Sequence, residues 1–195
     1  MFAQMLRRAF ALTALFVALP SAASAFEHQH HIGLDPYASL FTARLNDPGI
    51  GAGIGVHYTY GLTDQFNLMI EAGTGITKFG STAAPAPDPA DPNPPVPAAF
   101  PRAATFGGAG VGYVLDVLRY VPYFGILATG YDLGGGSLPK GTFVFGAQLA
   151  VGLDYQIDRH WALGVAYRQH ILITQADDYP SFSTLGLRAE YIWGW

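Results

Sequence analysis

At 195 residues the chain is sized for one domain, and half of it is hydrophobic while only 12% is charged. About a quarter of an ordinary soluble domain is charged, so this composition is too oily for one. The net charge of −4 comes without a basic cluster, which speaks against nucleic-acid binding, and without cysteine there is no disulfide framework to read.

The first 25 residues have the form of an export signal. Arg7 and Arg8 make the positive start, Ala9 to Leu19 the apolar run, and Ala23-Ser24-Ala25 a small-residue cleavage site. An uncleaved anchor helix fits less well, because the run is short and Pro20 ends it. Beyond it, no stretch approaches the roughly 20 unbroken apolar residues of a membrane helix. In lipid the backbone must satisfy its own hydrogen bonds, so an oily chain without such a helix points to a closed barrel. The 24 glycines and 14% aromatic content suit strands.

Just after the cleavage site, Glu27-His28-Gln29-His30-His31 has donors suited to Ni²⁺, Cu²⁺ or Zn²⁺. No carboxylate or cysteine spacing completes a site, so a solvated tail at the mature end is expected. Eight strands are expected near Ile32–Ala43, Ile50–Tyr60, Phe66–Thr77, Thr105–Leu115, Val121–Asp132, Thr142–Gln156, Trp161–Ile173 and Phe182–Trp195. Each is rich in β-branched, aromatic or glycine residues and bounded by turn formers. Most approach the length a tilted strand needs to cross a bilayer.

Alternation is clearest in the last three. Phe143, Phe145, Ala147, Leu149, Val151, Leu153 and Tyr155 share a face opposite Gly146, Gln148, Ala150, Gly152 and Asp154. Trp161, Leu163, Val165, Tyr167 and Ile171 oppose Ala162, Gly164, Ala166, Arg168 and His170. Leu185, Leu187, Ala189, Tyr191, Trp193 and Trp195 oppose Gly186, Arg188, Glu190 and Gly194. Bulky residues against lipid and small or paired polar residues in a narrow lumen accommodate both faces. The second, third and fourth strands follow the same scheme. The fifth is apolar on both faces, and Pro36 interrupts the first.

The connections agree. Gly61–Gln65, Asp116–Tyr120 and Ile157–His160 are short, and they alternate with more variable links, the longest over residues 78–104. Short periplasmic turns and longer outer loops are the outer-membrane pattern, and an even strand number returns both termini to the periplasm. Tyr60, Phe66, Tyr155, Trp161, Trp193 and Trp195 fall beside the periplasmic turns or terminus, where an aromatic girdle belongs. Within the extracellular loop 78–104, proline density from Pro85 to Pro97 favours extended polyproline conformation. It reads as a stiff solvated connector or, alternatively, a recognition arm.

The signal peptide, the turn Tyr60-Gly61-Leu62-Thr63-Asp64-Gln65, the segment from Gly152-Leu153-Asp154-Tyr155 to Trp161–Arg168, and the aromatic C-terminus together resemble small outer-membrane barrels of the OmpA-like transmembrane superfamily. The resemblance covers the mature chain, 26–195, and implies an all-β, closed, antiparallel up-and-down barrel of about eight strands. It implies outer-membrane lipid and lipopolysaccharide as surroundings and the barrel-insertion machinery as a partner. That machinery reads a C-terminal aromatic, usually Phe, where this chain has Trp195. Members range from anchors and adhesins to solute passages and lipid-modifying enzymes, so membership does not select a function.

On this facing Glu71, Asp154, Arg168, Arg188 and Glu190 point into the lumen, with His57 and His170. Buried charges are costly unless paired, so the expectation is a structural network that plugs the interior. The alternatives are a path for protons or solutes, or a lateral opening that captures a small apolar ligand. The stretch Tyr167-Arg168-Gln169-His170 is similar to the penultimate strand of outer-membrane lipid A deacylases, but Leu172 stands where they carry a nucleophilic Ser. The glycines of Gly51-Ala52-Gly53-Ile54-Gly55 lack the strand–loop–helix setting and the Lys of a phosphate-binding loop. No catalytic, cofactor or metal residue is assigned, and a non-enzymatic barrel is the expectation.

Overall fold

A computed structural model describes residues 26–41, 49–78, 101–115, 119–136, 138, 140–174 and 181–194. The expected signal segment, most of the proline-rich loop and Trp195 lie outside these residues. Eight strands follow one another: β1 (His30–Phe41), β2 (Gly49–Gly61), β3 (Phe66–Lys78), β4 (Ala103–Val114), β5 (Tyr120–Gly134), β6 (Thr142–Gln156), β7 (Trp161–Ile171) and β8 (Ser181–Trp193). Each pairs antiparallel with its sequence neighbour, and β1 pairs with β8 to close the barrel. The longest connection therefore spans 79–102, because Lys78 belongs to β3 and Ala103 to β4.

The faces follow from strand geometry. Val165 and Leu187 are 47% and 64% exposed, whereas Asp154 and Arg188 are 6% and 4% exposed. Bulky apolar side chains thus cover the outside, as the alternation predicts. No helix among the described residues is long and apolar enough to cross a membrane, and the chain's apolar outer surface is carried by strands.

Two short turns at one end are closed by the same device. Asp158 Oδ1 accepts from the backbone of His160 at 2.7 Å and of Trp161 at 2.9 Å. Thr63 Oγ1 accepts from Gln65 at 3.3 Å and Phe66 at 3.0 Å. Such local acceptors stabilise tight connections without a further strand residue. The described chain also starts and ends at this end, with Phe26 before β1 and Gly194 after β8.

Two expectations need correction. Pro36 does not interrupt β1: it lies inside one continuous strand, opposite Ile54 of β2. The proline is tolerated because pairing with β8 lapses there, stopping at Leu34–Ala189 and resuming in the same register at Tyr37–Gly186. The His-rich tract is not a solvated tail. His30 and His31 begin β1, and Gln29 and Phe26 are 2% and 3% exposed.

Candidate functional site: the barrel lumen

The lumen is built in layers. At the end carrying the short turns, Phe26 turns back into the barrel mouth beside Met69, Val114 and Val121. Its ring stacks on His31, with centroids 5.9 Å apart. The turn is held by His28 donating to the Gly61 carbonyl at 2.9 Å and Gly61 donating to the Gln29 carbonyl at 2.9 Å. Behind Phe26 a small cavity of about 30 Å³ is bounded by His31, Asn67, Tyr123, Asp154, Arg188 and other lumen residues.

Above this lies a layer of ions. His57 places Nδ1 2.6 Å from Asp35 and Nε2 2.7 Å from Glu190. Arg188 donates to Glu190 and to the Tyr123 hydroxyl, and its Nε lies 3.3 Å from Asp154. The Arg188 guanidinium also lies over the Tyr123 ring, 4.5 Å from its centroid. Arg168 joins Glu71 at 2.9 Å and Asp35 at 3.1 Å, and Gln148 donates to the same Glu71 oxygen. His31 Nδ1 reaches Glu190 at 3.3 Å. Six strands besides β8 thus contribute to one buried cluster, in which each guanidinium bridges two carboxylates.

The far half is aromatic. Tyr37, Phe41, Phe106, Tyr131 and Phe182 pack with Leu133, Val144 and Leu172. His170 belongs to this layer, which corrects its expected place among the lumen charges. It stacks on Phe182 at 4.1 Å, and Nδ1 and Nε2 lie 3.3 Å and 3.4 Å from the hydroxyls of Tyr131 and Thr184. It enters none of the ion pairs among the described residues. Leu172, at the position where a deacylase would carry its nucleophile, is buried in the same layer.

Of the residues expected in the charge network, Glu71, Asp154, Arg168, Arg188 and Glu190 come together. Sequence reasoning missed Asp35, Gln148 and Tyr123, and it placed His31 in the tail. The interior is also more aromatic than an interior of glycines and ions. Glycines make room for rings: a β-carbon on Gly152 would lie 2.4 Å from the Tyr123 ring, and one on Gly53 equally close to Tyr37.

The expected girdle residues Tyr60, Phe66, Tyr155, Trp161 and Trp193 all lie near the turn-bearing strand ends. His30 stacks on Trp193 at 5.2 Å and its Nδ1 meets the Tyr58 hydroxyl at 2.7 Å. Trp161 packs edge-on against Tyr191.

The family described as outer membrane protein beta-barrel domain matches residues 9–192. Among solved structures, the N-terminal barrel domain of Pseudomonas aeruginosa OprF is similar, with 10% identity, a TM-score of 0.53 and coverage of 86% of this chain and 98% of that one. Neisserial surface protein A shows 14% identity and a TM-score of 0.55, covering 85% and 97%. OprG of Pseudomonas aeruginosa shows 9% identity and a TM-score of 0.56, covering 89% and 100%. At such identities the likeness is one of fold. No curated protein sequence matches the chain.

Proposed function

The chain belongs to the outer membrane protein β-barrel domain family, and from that premise we propose that it is an exported barrel with both termini in the periplasm and a lumen closed to solutes. Its role is then structural, or exercised through its outer wall and extracellular loops, without catalysis. One observation carries this reading: the interior is filled by the Phe26 turn, the Arg168–Arg188 ion layer and the aromatic layer in succession. An eight-stranded barrel has an interior just wide enough for its own side chains. Ions in such a space are tolerated when each is paired, and removing one partner is costly. The test is reconstitution in planar bilayers. Silent bilayers support the closed lumen; steady wild-type conductance that changes in Glu190→Ala would reject it.

A second reading, capture of a small apolar molecule at the wall, draws on the lapse of β1–β8 pairing beside Pro36. A shallow depression lies outside it, lined by Pro36, Ala38, Ala52, Val165 and Leu187 among others. Uptake of a labelled hydrocarbon into vesicles containing the barrel separates the two readings.

A further inference from the structure

At the rim opposite the short turns, Lys78 at the end of β3 and Arg102 just before β4 border the oily wall. Thr77 donates to the Arg102 carbonyl at 2.7 Å, and Arg102 donates to the Gly134 carbonyl at 3.0 Å. These bonds tie the Arg102 backbone to both β3 and β5 and set it beside Lys78, the last residue of β3. Ile50, opposite Lys78 on β2, and Ile76, two residues further down β3, point outward and are 64% and 69% exposed. Lys78, Arg102, Ile50, Ala52 and Ile76 together line one open groove of about 690 Å³. Among the described residues no carboxylate lines it and neither cation makes an ion pair.

We propose that this groove holds a phosphorylated, acylated lipid of the outer leaflet, its phosphate on Lys78 and Arg102 and an acyl chain along Ile50, Ala52 and Ile76. The chemistry of each part selects this ligand. A guanidinium presents paired donors that match two phosphate oxygens, and an ammonium adds a compact charge. Basic residues at a membrane boundary attract anionic lipid headgroups. Exposed isoleucines beside and beneath Lys78 favour a chain that stays in hydrocarbon. The assignment rests on the proposed orientation, in which this rim faces the outer leaflet.

The experiment uses the full chain in phosphatidylcholine nanodiscs doped with diphosphorylated or dephosphorylated lipid A. Retained lipid is counted by native mass spectrometry, and insertion is checked by heat-modifiable gel mobility of the same samples. The wild type should retain the phosphorylated form over the dephosphorylated one by roughly tenfold. Lys78→Gln/Arg102→Gln should lose that preference, while Lys140→Gln, at an exposed cation outside the groove, should keep it. An inserted wild type that ignores phosphate, a double variant that keeps the preference, or an equal loss in Lys140→Gln would each overturn the site alone. A chain that fails to insert would overturn the membrane reading and the site with it.

Discussion

Gly61 and Phe26 fit together only because Gly61 has no side chain: a β-carbon there would sit 1.7 Å from the Phe26 carbonyl oxygen. The obstructing atom is backbone, so nothing nearby can rotate aside. Gly61→Ala must therefore displace the Phe26–Gln29 turn or shift the end of β2. Hydrogen exchange should show the loss of protection at His28 and at position 61, whose amides bond to Gly61 and Gln29. The variant should unfold at lower denaturant, by about 1–3 kcal/mol for an overpacked site. Unchanged exchange at both amides would mean that the turn does not seal the mouth.

The ion layer predicts a strongly non-additive pair. Arg168→Met leaves Asp35 and Glu71 buried without their guanidinium and should cost about 3–5 kcal/mol. Adding Glu71→Gln removes one of the stranded charges and leaves an amide facing Gln148. The double variant should therefore be more stable than the two single effects summed, by about 1–3 kcal/mol. Urea unfolding of the barrel in lipid vesicles measures all four corners of the cycle. Additive losses would show that Arg168 and Glu71 are not coupled.

How far these features can be seen in the sequence depends on contrast between neighbours. β6, β7 and β8 are legible because Val151, Val165 and Leu187 alternate with Gly152, Gly164 and Gly186. β5 is not, because Tyr123, Leu127, Tyr131 and Leu133 fill the lumen while Phe124 and Ile126 face outward, so both faces are bulky. The space for Tyr123 comes from Gly152 on the next strand, a complement that no single-strand pattern displays. Arg188 and Glu190 declare themselves by sharing a face, whereas Asp35 sits beside Pro36 on a strand whose pattern is obscured. His31 reads as tail because its partner Glu190 is 159 residues away. His170 shares a face with Arg168, but its height in the barrel, among Phe106, Tyr131 and Phe182, is set by register.

Pro36 marks a gap in the β1–β8 seam. Proline has no N–H to donate, and β8 lacks a register partner at Asp35 and Pro36. Pro36→Val supplies that donor to a strand otherwise in register on both sides. Exchange across Leu34–Ala38 and Leu187–Ala189 should slow, and stability should rise by about 1 kcal/mol, the net worth of one hydrogen bond. Faster exchange in the variant would show that the proline ring itself holds the wall in place.

The outward face makes the most direct statement about surroundings, because lipid and water penalise a charge differently. Leu187 lies in the middle of β8, and Leu40 is the penultimate residue of β1. Both are exposed, so neither substitution perturbs lumen packing. Against acyl chains, Leu187→Arg should cost about 2–4 kcal/mol, and Leu40→Arg, near the headgroups, about 0–1 kcal/mol. Against water, both changes should fall within about 0.5 kcal/mol of the wild type. Equilibrium unfolding from vesicles of defined thickness distinguishes the cases, and the depth dependence matters more than either value. A barrel that lost nothing at Leu187 would have solvent along β8, and its oily wall would then need a protein partner to cover it.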